Sequence, residues 1–402
     1  MQIRLTGNKL ILILLLLFPI STLLQGFGIF NNLNRIIIFL MMGGLLVSFF
    51  LDSFTILSCI YMIGGLVLSC LAIYLTKEAP YYINTYIFFP FWIIFFSYLI
   101  QNYRELMKGM CERLKLLRGI VYVWEAIVVV SLFFSRCYVE EWGDRYFQSF
   151  SNSPHRFAGT CLEILAYVSI LFILDRRKKD LLLFILPVIG LFVCGARTYL
   201  AIGILFVLAF YYIMCQNKKL FYITIIPVLV GIAGLILITP IGTKMVYTLK
   251  GNGYYGYWAT LTNGRSMFWV DDIKGFWQLP FGKKLIGNGA NYIYDLNIAG
   301  TAGRMLWAHN DFINLLCSNG ILGLLLYLAV FFYFTSHFKV KNTKFAKFPL
   351  FAFYVICGFN AFFNMLYTYT SAVLAVPFIF FVLYTLPQEY LENEYAERKM
   401  GE

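Results

Sequence analysis

The sequence predicts an all-α, polytopic integral membrane protein of about twelve transmembrane helices, with one long outer loop before the tenth. Three observations carry that expectation. Of 402 residues 60% are hydrophobic and only 13% are charged, about half the charged share of a soluble domain. The apolar residues fall in long runs close to the roughly 20 residues that a helix needs to cross a hydrocarbon core. The basic residues gather in short segments between those runs, the pattern that sets orientation in a membrane.

In chain order the runs are Leu10–Phe30, Ile36–Leu51, Phe54–Leu75, Tyr81–Ile100, Gly119–Ser135 and Phe157–Leu174. The second half adds Leu181–Cys194, Tyr199–Cys215, Leu220–Thr239, Phe312–Phe334, Phe348–Leu366 and Ala372–Leu386. The first is too long for a signal h-region and has no small-residue cleavage pattern after it, so it reads as an uncleaved span. With Arg4 and Lys9 inside, the basic clusters Arg104–Arg118, Arg176–Lys179, Lys218–Lys219 and Lys339–Lys347 all fall on the cytoplasmic side, and so do both chain ends. Residues 1–402 then form a single membrane domain. The net charge of +12 is accounted for by this bias, and no nucleic-acid partner is expected. Nine cysteines, scattered and mostly inside apolar runs, show no metal spacing and imply no disulfide framework; only Cys137 falls in a polar outer segment.

Three outer segments remain. Arg136–Arg156 reads as a charged polar loop, and Gly195-Ala196-Arg197-Thr198 as a tight turn. The third, residues 240–310, carries Lys244, Lys250, Arg265, Lys274, Lys283, Lys284 and Arg304 against Asp271, Asp272 and Asp295. A basic loop on the outside is either scattered solvated charge or a site for an anionic ligand. It also holds Trp258, Trp269, Trp277, Trp307, Tyr254, Tyr255, Tyr257, Tyr292 and Tyr294. Helical spacing puts Trp269, Val270, Ile273, Phe276 and Trp277 on one face and Asp271, Asp272 and Lys274 on the other. Such a stretch lies along the membrane surface, where aromatic rings favour the headgroup region; the same rings can stack on sugars.

Polar groups at the mouths of spans are the candidates for chemistry, because lipid penalises them. His309 opens the tenth span with Asn310 and Asp311, and Asn310, Asn314 and Ser318 continue a polar stripe at i, i+4, i+8. His309 is either a general base near neutral pH or a hydrogen-bonded residue at a helix start. Gly320 and Gly323 permit close helix approach. Arg197 sits between two apolar runs, where it either snorkels to headgroups or grips a phosphate bidentately. Glu125 and Glu163 lie within spans, as proton relays or as partners in internal ion pairs or polar contacts. There is no DxD metal motif, Walker glycine loop or HExxH pair, and no metal or cofactor is expected.

His309-Asn310, nine residues, then Gly320, two residues and Gly323-Leu324 resembles the signature of the O-antigen ligase and O-antigen polymerase superfamily. Arg197 in Gly-Ala-Arg-Thr matches that family's arginine at an outer helix turn. Gly264-Arg265 with Trp269, Pro280, Gly287 and Gly289 is similar to its outer-loop pattern. Arg156-Phe-Ala-Gly-Thr160 with Glu163 is similar to its segment at an earlier span, without the Pro-Asn common there.

The resemblance implies a metal-independent, inverting glycosyltransferase in the bacterial cytoplasmic (inner) membrane, its active site facing the periplasm and partly formed by residues 240–310. The donor would be an oligosaccharide on undecaprenyl diphosphate, held by Arg197, Arg265 and Arg304, with His309, Asn310 and Arg265 as catalytic residues. Arg156, Glu163, Trp269 and Trp307 would contact glycan or acceptor. Membrane lipids, a chain-length regulator and a flippase of the same pathway are the implied partners. The leading expectation is a repeat-unit polymerase for O-antigen, capsular or exopolysaccharide. The alternatives are a ligase moving the polymer to lipid A-core of lipopolysaccharide and, from another class, a lipid-linked oligosaccharide flippase or transporter.

Overall fold

The computed structural model describes residues 2–51, 55–76, 80–81, 83–141, 144–215, 217–251, 258–259, 262, 264–336 and 347–386. It is nearly all helical, as a polytopic membrane protein requires, because lipid leaves no partner for free backbone N–H and C=O groups. In order the helices are α1 Gln2–Leu23, α2 Gly28–Leu51, α3 Ile56–Tyr74, α4 Ile83–Cys111, α5 Leu114–Ser131, α6 Pro154–Asp175, α7 Ile185–Val193, α8 Arg197–Met214 and α9 Lys218–Ile238. There follow α10 Pro240–Gly251, α11 Arg265–Gln278, α12 Phe281–Ile286, α13 Tyr292–Ala299, α14 Asp311–Ser336, α15 Lys347–Phe363 and α16 Thr370–Phe380.

Each expected apolar run is helical over most of its length, but among the described residues six helices are long and apolar enough to cross a bilayer unaided. These lie in α2, α3, α6, α8, α9 and α14. The expected seventh run is divided between a 3-10 stretch, Lys178–Phe184, and the nine-residue α7. That helix is roughly 14 Å long against a hydrocarbon core of about 30 Å.

Helix α6 is the central post. It is apolar on all sides, and from Phe157 to Leu171 every side chain is buried, as expected of a helix wrapped by others. Around it stand α1, α5, α7, α8 and α16. Trp124 of α5 stacks on Phe157 at 6.0 Å and donates to Thr160 Oγ1 at 3.2 Å. At the C-terminal end of α6, Arg118 donates to Asp175 at 2.6 Å and to Asp180 at 2.9 Å, and the Asp180 side chain is 0% exposed. Arg118→Ala strands that carboxylate in a dry site, a loss of about 3–5 kcal/mol. The variant is expected to unfold at a much lower temperature in detergent; an unchanged melting temperature would show that the cluster is not a clamp.

The N-terminal end of α6 carries two features that the hydropathy pattern did not announce. Arg136–Arg156, expected as a loop, contains an antiparallel hairpin, β1 Tyr138–Glu141 with β2 Asp144–Phe147, paired Tyr138 to Phe147 and Glu141 to Asp144. It is pinned by Phe147, whose ring meets Phe157 edge-on at 5.1 Å. Cys137, placed by sequence in a polar segment, is buried beneath it.

Residues 240–310, expected as a long loop, contain α10 to α13. Phe268, Trp269, Phe276, Ile293, Tyr294 and Ala308 form a second core with Ile313 and Cys317 of α14, so much of the segment is a packed cap. Tyr254, Tyr255 and Tyr257 lie outside the described residues, as do His337 and Lys339, Lys341 and Lys344 of the last basic cluster.

Helix α11 corrects one expectation. Asp272, assigned to the polar face, is buried with Phe268, Trp269 and Phe276, while Val270, Ile273 and Trp277 are exposed. The spacings i, i+3, i+7 occur twice in this helix, once from Trp269 and once from Val270, so it has two faces where one broad face was drawn. Burial, then the neighbouring Asp271, pushes the Asp272 carboxyl up to about 8. The exposed apolar face, with Phe281 beyond it, is the one suited to a headgroup layer.

The cap meets the membrane helices at a pair of glycines. Helix α14 is interrupted at Gly320, whose φ of 69° and ψ of −169° lie in a region essentially reserved for glycine. A Cβ there would come within 2.5 Å of the Gly287 nitrogen, and Gly287 has φ 89°. The Asn288 amide then donates to the Cys317 carbonyl at 3.1 Å.

Candidate active site

The end of the bundle at the N-terminus of α6 gathers residues from widely separated parts of the chain. Asn310 accepts from the Ile313 amide at 3.1 Å, capping α14. The cap holds the preceding residue in a turn, and His309 has φ 48°, a left-handed conformation uncommon outside glycine. Trp269 donates to the Ala308 carbonyl at 2.5 Å, fixing the same turn from the cap side. Asp311 accepts from the Tyr327 hydroxyl at 2.9 Å and from the amides of Leu366 and Tyr367 at 2.7 and 3.2 Å. Asn314 donates to the Tyr367 hydroxyl at 2.7 Å. The start of α14 is thereby tied to the turn between α15 and α16.

Arg265 begins α11 behind Gly264, whose φ is 81°, and its guanidinium donates to the Phe363 carbonyl. Arg197 begins α8 behind Gly195, φ 69°, and Ala196. No hydrogen bond or ion pair engages the Arg197 side chain among the described residues. Lys244 projects from α10 with its ammonium 5.4 Å from the centre of the Tyr146 ring.

These groups form one electrostatic cluster. Arg265 acts on His309, His155 and Tyr369. Arg197 acts on Arg265 and Lys244, and Arg156 acts on Tyr369. His309 and His155 are within reach of each other. Burial, then Arg265, holds the His309 imidazole well below its usual range, so it is neutral at pH 7. Its Nδ1 has no partner among the described residues. Burial lowers Lys244 to about 8, with Arg197 adding to the effect. Burial likewise lowers Arg265 to about 10, which leaves it charged at neutral pH.

Three half-buried cations, Arg197, Lys244 and Arg265, thus converge, with Glu141 facing Lys244. A low-dielectric basin of this sign favours an anion, and two guanidinium forks suit phosphate oxygens. Among the described residues no three His, Cys, Asp or Glu side chains are grouped to hold a metal ion.

The remaining candidates divide. Arg156, exposed in the first turn of α6, donates to Gln25 Oε1 at 2.7 Å and faces Tyr369. The half-buried Trp307 ring lies 6.1 Å from that of Tyr369. Trp269 is only 7% exposed, packed against Phe362 at 5.2 Å, so its role in the structure is to hold the His309 turn. Arg304 is exposed on a bend, and no hydrogen bond, ion pair or electrostatic interaction among the described residues joins it to the cluster. Glu163 is buried two turns below Arg156, near Tyr167 and Tyr199. Neither of its oxygens has a hydrogen-bond partner among the described residues, and it joins no ion pair there.

No family model and no curated protein matches this chain.

Sequence reasoning did not single out Lys244, Tyr146, His155 or Tyr369. Lys244 was one of seven basic residues in its segment, and nothing marked it from the others. His155 carried a usable signal, being one of three histidines and following Ser-Pro at a helix start.

Proposed function

We propose that this protein is a polysaccharide repeat-unit polymerase, a glycosyltransferase whose donor is an oligosaccharide on undecaprenyl diphosphate. The observation that carries the reading is the convergence of Arg197, Arg265 and Lys244 beside the neutral imidazole of His309. The motif resemblance supports it independently, since those arginines and that histidine are the residues the resemblance implicates.

In the proposed step the acceptor hydroxyl oxygen bonds to the anomeric carbon of the donor while the bond from that carbon to the diphosphate oxygen breaks. The electron pair leaves on the diphosphate, where Arg197 and Arg265 neutralise the developing charge. The hydroxyl proton passes to His309, which the Asn310 cap and Trp269 hold in place. Attack opposite the leaving group inverts the anomeric centre. The broken glycosyl phosphoester drives the transfer.

The proposed arrangement has twelve crossings, both ends in the cytoplasm and the cluster facing out. In support, Arg118 and the Arg176–Lys179 run lie at the opposite end of α6 from Arg156, as short basic loops on the inner side require. The exposed face of α11 would lie on the outer leaflet.

The test is reconstitution in proteoliposomes with lipid-linked repeat units. Longer glycans and released undecaprenyl diphosphate are expected. Translocation without lengthening would replace the reading with a flippase, and transfer only to lipid A-core would replace it with a ligase. Lys244 adds a pH signature. It is cationic below about 8 and neutral above, so donor affinity should fall as pH rises through 8. Lys244→Arg should flatten that limb, since arginine stays charged; an unaltered profile would exclude Lys244 from donor binding.

A further inference from the structure

Beside the cation cluster lies a cavity of about 210 Å³ between the β1–β2 hairpin, the start of α6, the Gly195–Ala196 turn and α10. Its walls include Glu141, Tyr146, Gln148, Asn152, His155 and Lys244. We infer that this cavity is the acceptor subsite, binding one uncharged sugar ring whose hydroxyl is presented to the donor. The inference rests on the proposed polymerase reading and assigns a second ligand position within it.

Four features select a sugar. The walls offer a carboxylate, an ammonium, two amides and an imidazole around one aromatic ring, the mixture of donors and acceptors that vicinal hydroxyls satisfy. Glu141 opposes Lys244, so this space does not share the one-sided positive charge of the arginine pair and suits a neutral ligand better than a diphosphate. The volume is below the roughly 300–1,000 Å³ of sites for drug-sized ligands, which suits one ring better than a chain. Two polar groups at its edge also want partners. The Tyr146 hydroxyl, in a residue 2% exposed, and His155 Nδ1 have no hydrogen-bond partner among the described residues.

Position makes the cavity relevant to transfer. Its floor at Gly195-Ala196 runs directly into Arg197, and Lys244 borders both the cavity and the arginines. Gly195 has φ 69°, and the Tyr146 ring occupies the space a side chain would fill. The hairpin can therefore sit against the turn that carries Arg197. A ring held there lies next to the diphosphate site, with Lys244 bordering both and the two arginines left to the diphosphate. In a polymerase this would be the terminal sugar of the incoming lipid-linked unit.

Tyr146→Phe tests the assignment, because it removes one hydroxyl and keeps the ring. If that hydroxyl is only a buried group without a partner, its loss leaves stability equal or higher and changes no binding. If it meets a sugar, affinity falls about tenfold, the size of one lost hydrogen bond to a ligand. The probes are methyl glycosides of glucose, galactose, rhamnose and N-acetylglucosamine, followed by saturation-transfer NMR on the detergent-solubilised protein. Undecaprenyl diphosphate binding is measured in parallel.

The expected result is that at least one glycoside binds the wild type and is weakened in Tyr146→Phe, while undecaprenyl diphosphate binding is retained. Equal glycoside binding by both proteins, binding to neither, or displacement of the glycoside by inorganic pyrophosphate would overturn the subsite and leave the polymerase reading standing. Failure of wild-type protein to bind undecaprenyl diphosphate would instead strike the polymerase reading, with the sugar measurement judging the cavity by itself.

Discussion

Arg197→Ala is expected to abolish long-chain polysaccharide while the protein still accumulates in the membrane. In reconstituted vesicles the rate should fall by roughly 10²–10³, the usual cost of removing one group that stabilises a developing anion. Arg197 suits this test because it carries no hydrogen bond or ion pair that holds another described residue in place. Its guanidinium engages no hydrogen bond or ion pair among the described residues, whereas Arg265 also donates to the Phe363 carbonyl. Truncating Arg197 would therefore remove the proposed ligand contacts and break no hydrogen bond or ion pair among the described residues. Arg197→Lys should fail substantially as well, because an ammonium cannot hold two phosphate oxygens in a planar fork. Chain length on a polyacrylamide gel and the reconstituted rate are the measurements. Near-normal chains in the alanine variant would remove Arg197 from the site, and full activity in the lysine variant would show that charge alone matters.

Replacing His309 should cost roughly 10²–10⁴ in rate, the range for a positioned acid or base. The choice of replacement matters because His309 has φ 48°. Alanine there adds backbone strain to any chemical loss, while asparagine tolerates the left-handed region. His309→Asn is thus the informative variant, with a melting temperature near wild type and little transfer. The pH profile offers a second check. An imidazole held well below its usual range by burial and Arg265 stays neutral at neutral pH, so the acid limb due to His309 should lie on the acid side of an ordinary histidine's. Wild-type-like transfer by His309→Asn would move the proton acceptor elsewhere, and His155, within electrostatic reach of His309, is the first place to look.

The helical runs were legible because each is a local property of the sequence. Twenty apolar residues in a row leave little freedom in lipid, and His309-Asn310 at the head of such a run is conspicuous. Arg197 and Arg265 were singled out through their motifs, and the fold brings them within electrostatic reach of each other. Features set by contacts across long sequence distances were not. The hairpin has four residues per strand, too few for alternation to stand out. Asp272 looked solvated because its neighbours Asp271 and Lys274 are polar, and only the cap core turns it inward. The pairing of Lys244 with Tyr146 joins positions far apart in the chain, and nothing local to either marks it. Arg304 shows the opposite case, an arginine expected in the cluster that no hydrogen bond, ion pair or electrostatic interaction among the described residues joins to it.

The crossing of Gly287 over Gly320 makes a mechanical joint between the roof of the protein and its lipid-embedded wall. Because bare backbone meets bare backbone there, tilting the lower part of α14 must drag the Leu285–Gly287 strap along. That strap follows α11, at whose head stands Arg265. If the proposed function holds, movement of the lipid-facing wall as a polyprenyl tail enters or leaves would thus be transmitted to Arg265.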